Sequence, residues 1–145
     1  MYSFLLFGII INSILIGVII VTQLVSYPLF LKVPKQSFSN YHSLYTNRIS
    51  IIVIPLMIVE VFITFYILFN FYYSIYAQML FFALMIVWLS TFLIQVPLHN
   101  CISGIKNTKN IKELIYSNWI RTFFWIIKLI LMILILIKNN EAQLL

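Results

Sequence analysis

Long apolar runs broken by short polar stretches set the plan of this chain. Residues 4–26, 49–71, 79–98 and 118–137 each form a nearly continuous apolar segment, and about 20 helical residues cross roughly 30 Å of hydrocarbon. Each run therefore predicts one membrane span. A backbone in lipid has to satisfy its own hydrogen bonds, as a helix does internally, so the pattern predicts an all-α integral membrane four-helix bundle. The polar connections are too short for a second domain, which makes residues 1–145 a single transmembrane unit. Prolines mark the expected ends and kinks. Pro28 should close the first span at Tyr27, because the residue before a proline is pushed out of the α region. Pro55 should kink the second span, and Pro97 should end the third. From Ser37 the stretch "SFSNYHSLYTNR" mixes polar and aromatic residues and predicts a short interfacial helix before helix two. The amphipathic "NIKELIYS" between helices three and four is expected to lie along the headgroups. "NFYYSIYAQ" reads as an uncharged turn in the aromatic belt, and the final "KNNEAQLL" as a frayed tail. No internal repeat stands out. The first span has no basic n-region and too long an apolar run for a cleaved signal, so it is read as a retained helix.

Composition agrees with this plan and removes several function classes. With 63% hydrophobic and only 8% charged residues, a soluble domain of this length has nowhere to bury so much apolar surface. The net charge of +6 does not point to nucleic acid, because the basic residues flank the spans. Lys32, Lys35, Lys106, Lys109 and Lys112 fall in the first and third connections, with Arg48 and Arg121 at adjoining helix mouths, whereas the opposite side has only Lys138. The positive-inside rule then places both loops in the cytoplasm and both termini outside. Membrane lipids are the expected surroundings, and the pattern leaves oligomeric state open. Cys101 is the single cysteine, so no internal disulfide forms.

Polar residues inside the spans are the candidates for function. Glu60 lies near the middle of helix two and Lys128 about two turns inside helix four; they either pair with each other or Lys128 snorkels to a surface. Positions three, four and seven apart share a helix face. On helix four that face carries Asn118, Arg121, Thr122, Trp125 and Lys128, and helix three ends with Thr91, Gln95 and His99. If the second segment is already helical at Tyr41, then Tyr41, Tyr45 and Arg48 share a stripe with His42 beside it, while Gln23, Ser26 and Tyr27 close helix one. The expectation is a polar chamber open to the cytoplasm and narrowing toward Glu60. Its pocket residues are Tyr27, Tyr45, Arg48, Glu60, Asn100, Trp125 and Lys128, with Trp88 as a second wall. Asn100 or Arg121 would cover carbonyls freed by Pro97. His99 is either a helix cap or a functional group. Together with His42 it could share a metal or a haem, or one of the two could act as a base, but two histidines without a set spacing define no metal ligands. Glycine-rich phosphate loops, nucleophile elbows and a catalytic carboxylate pair are absent from a sequence with three acidic residues.

The stretches "QVPLHN" and "NWIRTFFW", with "YPLF" and "YHSLYTNR" earlier, give the chain a family likeness. It resembles the anthrone oxygenase-like family of small four-helix membrane proteins, mostly bacterial. The matches are Val96, Pro97 and Asn100, then Asn118, Trp119, Arg121 and Thr122, and the likeness runs over nearly the whole chain. Fungal members oxidise anthrones to anthraquinones without metal or flavin. The resemblance thus implies a bacterial inner-membrane setting and a hydrophobic, aromatic or quinone-like small molecule, with no cofactor. It also implies His99 or His42 as base, with Arg121, Asn118 and Gln95 stabilising a phenolate or enolate. His99 is a departure, because many relatives have asparagine there. Two other readings stay open: a small transporter or accessory subunit that binds a lipid or partner helix, suggested by Glu60 and Lys128, and a histidine-ligated haem or metal protein.

Overall fold

The computed structural model describes residues 2–141. Four helices form the bundle. Helix α1 runs over Tyr2–Val21, passes through a π-turn at Thr22–Ser26 and continues as Tyr27–Phe30; α2 is Lys35–Asn70. Helix α3 runs over Ile75–Ser90, has its own π-turn at Thr91–Gln95 and continues as Val96–Ser103; α4 is Thr108–Glu141. All four are long and apolar enough to cross a membrane. Each helix packs on its neighbours in sequence, and α4 closes the ring on α1. Connections of only a few residues force this up-and-down order. The stretch expected to fray from Lys138 is helical as far as Glu141, and residues 142–145 lie outside the described residues.

The helices run further than the apolar spans, for two reasons. Pro28 and Pro97 do not stop their helices. Each sits in the first turn of the restarted α-segment, where a missing N–H leaves no hydrogen bond unmade. The π-turn immediately upstream absorbs the steric demand of the ring. Both bulges carry one pattern, Thr-x-Leu-x-x-x-Pro-Leu, in "TQLVSYPLF" from Thr22 and "TFLIQVPLH" from Thr91. The chain therefore does contain an internal repeat: two helical hairpins, α1–α2 and α3–α4, each with the same proline-linked bulge in its first helix.

The second reason is a partner for the polar ends. The stretch from Lys35 to Arg48 is the first part of α2, not a separate interfacial helix, and "NIKELIYS" is the start of α4. Phe38, Ile111 and Leu114 from these extensions meet Tyr27, Phe30 and Ile102 in a second apolar cluster, distinct from the core deeper in the bundle. Burying that face holds the extensions upright. Lys106 adds a clasp: its Nζ donates to the carbonyls of Leu31 and Val33, both at 2.7 Å, and covers the open end of α1. Ser39 Oγ donates to the Ser103 carbonyl at 2.8 Å, tying α2 to α3 at the same end. Pro55 lies within α2 on an exposed face and does not end it.

At the other end α1 and α2 approach closely at Gly8, where an added Cβ would stand 2.8 Å from Ile63 Cγ2. Gly8→Ala is expected to destabilise the bundle by about 1–3 kcal/mol through overpacking. Gly17→Ala, where a Cβ meets nothing within 4 Å, should be neutral or slightly stabilising. Thermal unfolding of both variants in mild detergent checks the contrast; equal midpoints would mean that Gly8 does not set the helix spacing.

Candidate functional site

A cavity of about 460 Å³ lies among the four helices, in the half of the bundle nearer the 31–34 and 104–107 connections. Its walls are mostly apolar, from residues such as Leu15, Ile19, Val53 and Met57. Its exposed lining residues come from two helices only: Ile54 and Ile58 on α2, and Phe92, Val96 and Asn100 on α3. The contributions of α1 and α4 are buried or half-buried. The mouth is therefore the seam between α2 and α3, where Ile54, Ile58 and Phe92 lie within the apolar spans. The chamber does not open at the end expected to face the cytoplasm, because the cluster of Phe30, Phe38 and Ile102 fills the bundle there. Side-chain bonds explain why one seam parts and the opposite one does not. Between α1 and α4, Asn12 Nδ2 donates to the Trp125 carbonyl at 2.9 Å, Gln23 Nε2 to the Ile115 carbonyl at 2.9 Å, and Asn118 Nδ2 to Gln23 Oε1 at 2.8 Å. Between α2 and α3 the described hydrogen bonds lie only at the upper end, at Ser39 and His42.

The π-turn in α3 brings Gln95 and His99 to the cavity, and the one in α1 does the same for Thr22 and Tyr27. Three side chains from three helices then form a hydrogen-bonded chain. Tyr27 Oη is bonded to His99 Nε2 at 2.9 Å, and His99 Nδ1 to His42 Nε2 at 2.9 Å. Tyr27 and His99 line the cavity, whereas His42 stands behind them, 2% exposed and wedged between Phe30 and Phe38. His42 Nδ1 has no partner. Tyr45 Oη donates to Thr22 Oγ1 at 3.3 Å on the same wall.

Arg121 faces this group from α4. It is 7% exposed, and its guanidinium carbon stands 5.0 Å from the centre of the Trp125 ring, a cation–π contact. Its Nε has no hydrogen-bond partner. The two ion pairs among the described residues are Lys109–Glu113 and Lys128–Glu60, so no carboxylate neutralises Arg121. Trp88 Nε1 and Gln95 Oε1, both in cavity-lining residues, are likewise buried without partners. A mostly apolar pocket thus contains a cation, an indole N–H and a phenol–imidazole chain, a donor set that suits an apolar molecule with one acidic oxygen.

Beyond Trp125 the site is closed. Lys128 Nζ lies 2.6 Å from Glu60 Oε1, and Trp125 Nε1 donates to both Glu60 oxygens at 3.0 and 3.2 Å. Glu60 and Lys128 do pair, 1% and 0% exposed, but neither lines the cavity. Among the other expected residues, Gln95, Tyr45, Asn100 and Trp125 line the cavity, and Gln95 Nε2 donates to Ser117 Oγ at 2.9 Å. Asn118 is turned to Gln23 and away from the cavity lining, and Arg48 is exposed outside it. Asn12 was not foreseen. A lone asparagine in an apolar run, three residues before the inward-facing Leu15, was the available signal.

His42 and His99 do converge, with Nε2 of one hydrogen-bonded to Nδ1 of the other, and no group of three His, Cys, Asp or Glu side chains comes together among the described residues. Comparison with protein-family models, curated proteins and solved structures finds no match for this chain.

Proposed function

We propose that this integral membrane protein takes a lipid-soluble aromatic or quinone-like molecule with an acidic oxygen from the bilayer, holds that oxygen against Arg121, and promotes its oxidation by O₂. The observation that carries the reading is the unpaired, buried Arg121 in a mostly apolar cavity that opens between the apolar faces of α2 and α3. Lateral access suits a substrate that partitions into the membrane, and a guanidinium in a dry pocket interacts more strongly with an anion than one in water. His99, hydrogen-bonded to Tyr27 on the wall, supplies base capacity. The anthrone oxygenase likeness of "QVPLHN" and "NWIRTFFW" supplies the reaction type. A ring CH₂ loses a proton to the base, the electron-rich anion reduces O₂, and the carbon ends as C=O while the second oxygen atom leaves as water. Trp88, Thr91 and Gln95 bound the space for the rings. By the positive-inside rule, the connections carrying Lys32 and Lys106 face the cytoplasm of a bacterial inner membrane.

The test is conversion of anthrone to anthraquinone, with O₂ uptake, by protein in mild detergent under air. Wild type should exceed the protein-free rate, and His99→Ala should lower its turnover by about 10²-fold or more. A wild-type rate equal to the background, or one unchanged in His99→Ala, sinks the oxidation reading.

The second reading, a non-enzymatic lipid-binding or transport role, keeps the same cavity. It gains less from Glu60 and Lys128 than their depth in the span suggests, because each is already engaged within the bundle.

A further inference from the structure

We infer that Tyr27, not His99, is the group that takes the proton from the bound molecule, and that His99 and His42 carry the charge away behind the cavity wall. This rests on the proposed reading for the existence of an acidic ligand, but it adds an ordered path that the reading does not require. The path is set by geometry. Both ring nitrogens of His99 are committed, Nε2 to Tyr27 and Nδ1 to His42, so His99 has no free nitrogen for a ligand. Tyr27 Oη, by contrast, ends the chain on the cavity wall and retains acceptor capacity while donating its own proton to His99.

The transfer balances atom by atom. The acidic proton of the ligand passes to Tyr27 Oη as the tyrosine proton passes to His99 Nε2, and the proton on His99 Nδ1 passes to His42 Nε2. The ligand becomes an anion facing Arg121, Tyr27 and His99 end neutral, and His42 ends as an imidazolium. One charge has crossed three side chains while every hydrogen bond is kept. The shift leaves His99 donating to Tyr27, whose hydroxyl then points its hydrogen at the cavity; running it backward from His42 returns that proton to the ligand and restores the starting tautomers. His42 Nδ1 is buried without a partner, so the charge stops on His42 and is held there until the chain returns it. His42 lies two turns from the start of α2 at Lys35, roughly 10 Å along the helix.

Three arms test the relay. In the anthrone assay, His42→Ala, a residue outside the cavity lining, should lower turnover by about 10²-fold with KM nearly unchanged, and added imidazole should restore part of it. Tyr27→Phe combined with His42→Ala should be no slower than the slower single variant, because the chain acts as a unit. Full turnover in either single variant, or losses that multiply in the double, would overturn the inference. The third arm needs no turnover. With ¹⁵N-labelled histidine the two histidines of the chain report their tautomers by NMR, and Tyr27→Phe should shift the ring nitrogens of both. A shift confined to His99 would overturn the relay. A silent wild type in the anthrone assay with both histidines shifted would instead remove the oxidation reading and leave the relay standing.

Discussion

Lys128→Met is expected to destabilise the protein by about 3–5 kcal/mol, the usual result of leaving one member of a buried ion pair alone. Lys128 and Glu60 are 0% and 1% exposed, with 2.6 Å between Nζ and Oε1. Without the ammonium, the carboxylate keeps only the Trp125 N–H, since among the described residues no other cation stands within salt-bridge distance of it. Glu60→Gln with Lys128→Met should recover most of the loss. The glutamine carbonyl still accepts from Trp125 Nε1, and a methionine fills much of the lysine's volume without a charge. Unfolding midpoints of the single and double variants in one detergent measure the difference. A silent single variant, or a double variant no better than the single, would show that the pair does not brace α2 against α4.

Arg121→Met is expected to act in opposite directions on stability and on binding. The guanidinium is buried without a carboxylate partner, which is a cost to the folded state. Removing the charge should leave the unfolding midpoint unchanged or raise it. Binding should weaken by about 10- to 150-fold, the equivalent of losing one charge-assisted hydrogen bond of about 1.5–3 kcal/mol. Arg121→Lys keeps the charge and loses the planar fork, so it should fall between the two. A site that weakens the fold while strengthening binding is the pattern expected of a functional residue. If Arg121→Met binds the ligand as wild type does and also loses stability, Arg121 is an ordinary packing residue.

Much of the fold was legible because lipid makes the pattern simple. Four apolar runs have to be helices, and their short links leave few ways to pack. The helix ends were misread at Pro28 and Pro97 because the local rule for proline ignores an upstream bulge, although "TQLVSYPLF" and "TFLIQVPLH" carried the clue as a repeat. The site was legible as a list of polar residues in spans: His99, Arg121, Gln95, Tyr27 and Trp125 meet at one cavity. Helical periodicity gives faces but not rotations between helices. It therefore could not tell that Asn118 turns to Gln23, that Arg48 stays outside, or that Glu60 is closed off behind Trp125. It also could not tell that the cavity opens sideways, since that depends on which seam lacks cross-links.

A titration with a fluorescence readout tests lateral binding at Arg121 most directly. A Trp119→Phe variant in lipid nanodiscs retains Trp88 and Trp125, both on the cavity wall, and is titrated with 1-hydroxyanthraquinone. The expected result is saturable quenching, with the bound probe's absorption moved toward its phenolate form and both effects lost when Arg121→Met is added. Quenching that rises without saturation, as for simple partition into lipid, and that is the same with Arg121→Met, would contradict a bilayer-facing site built around this arginine.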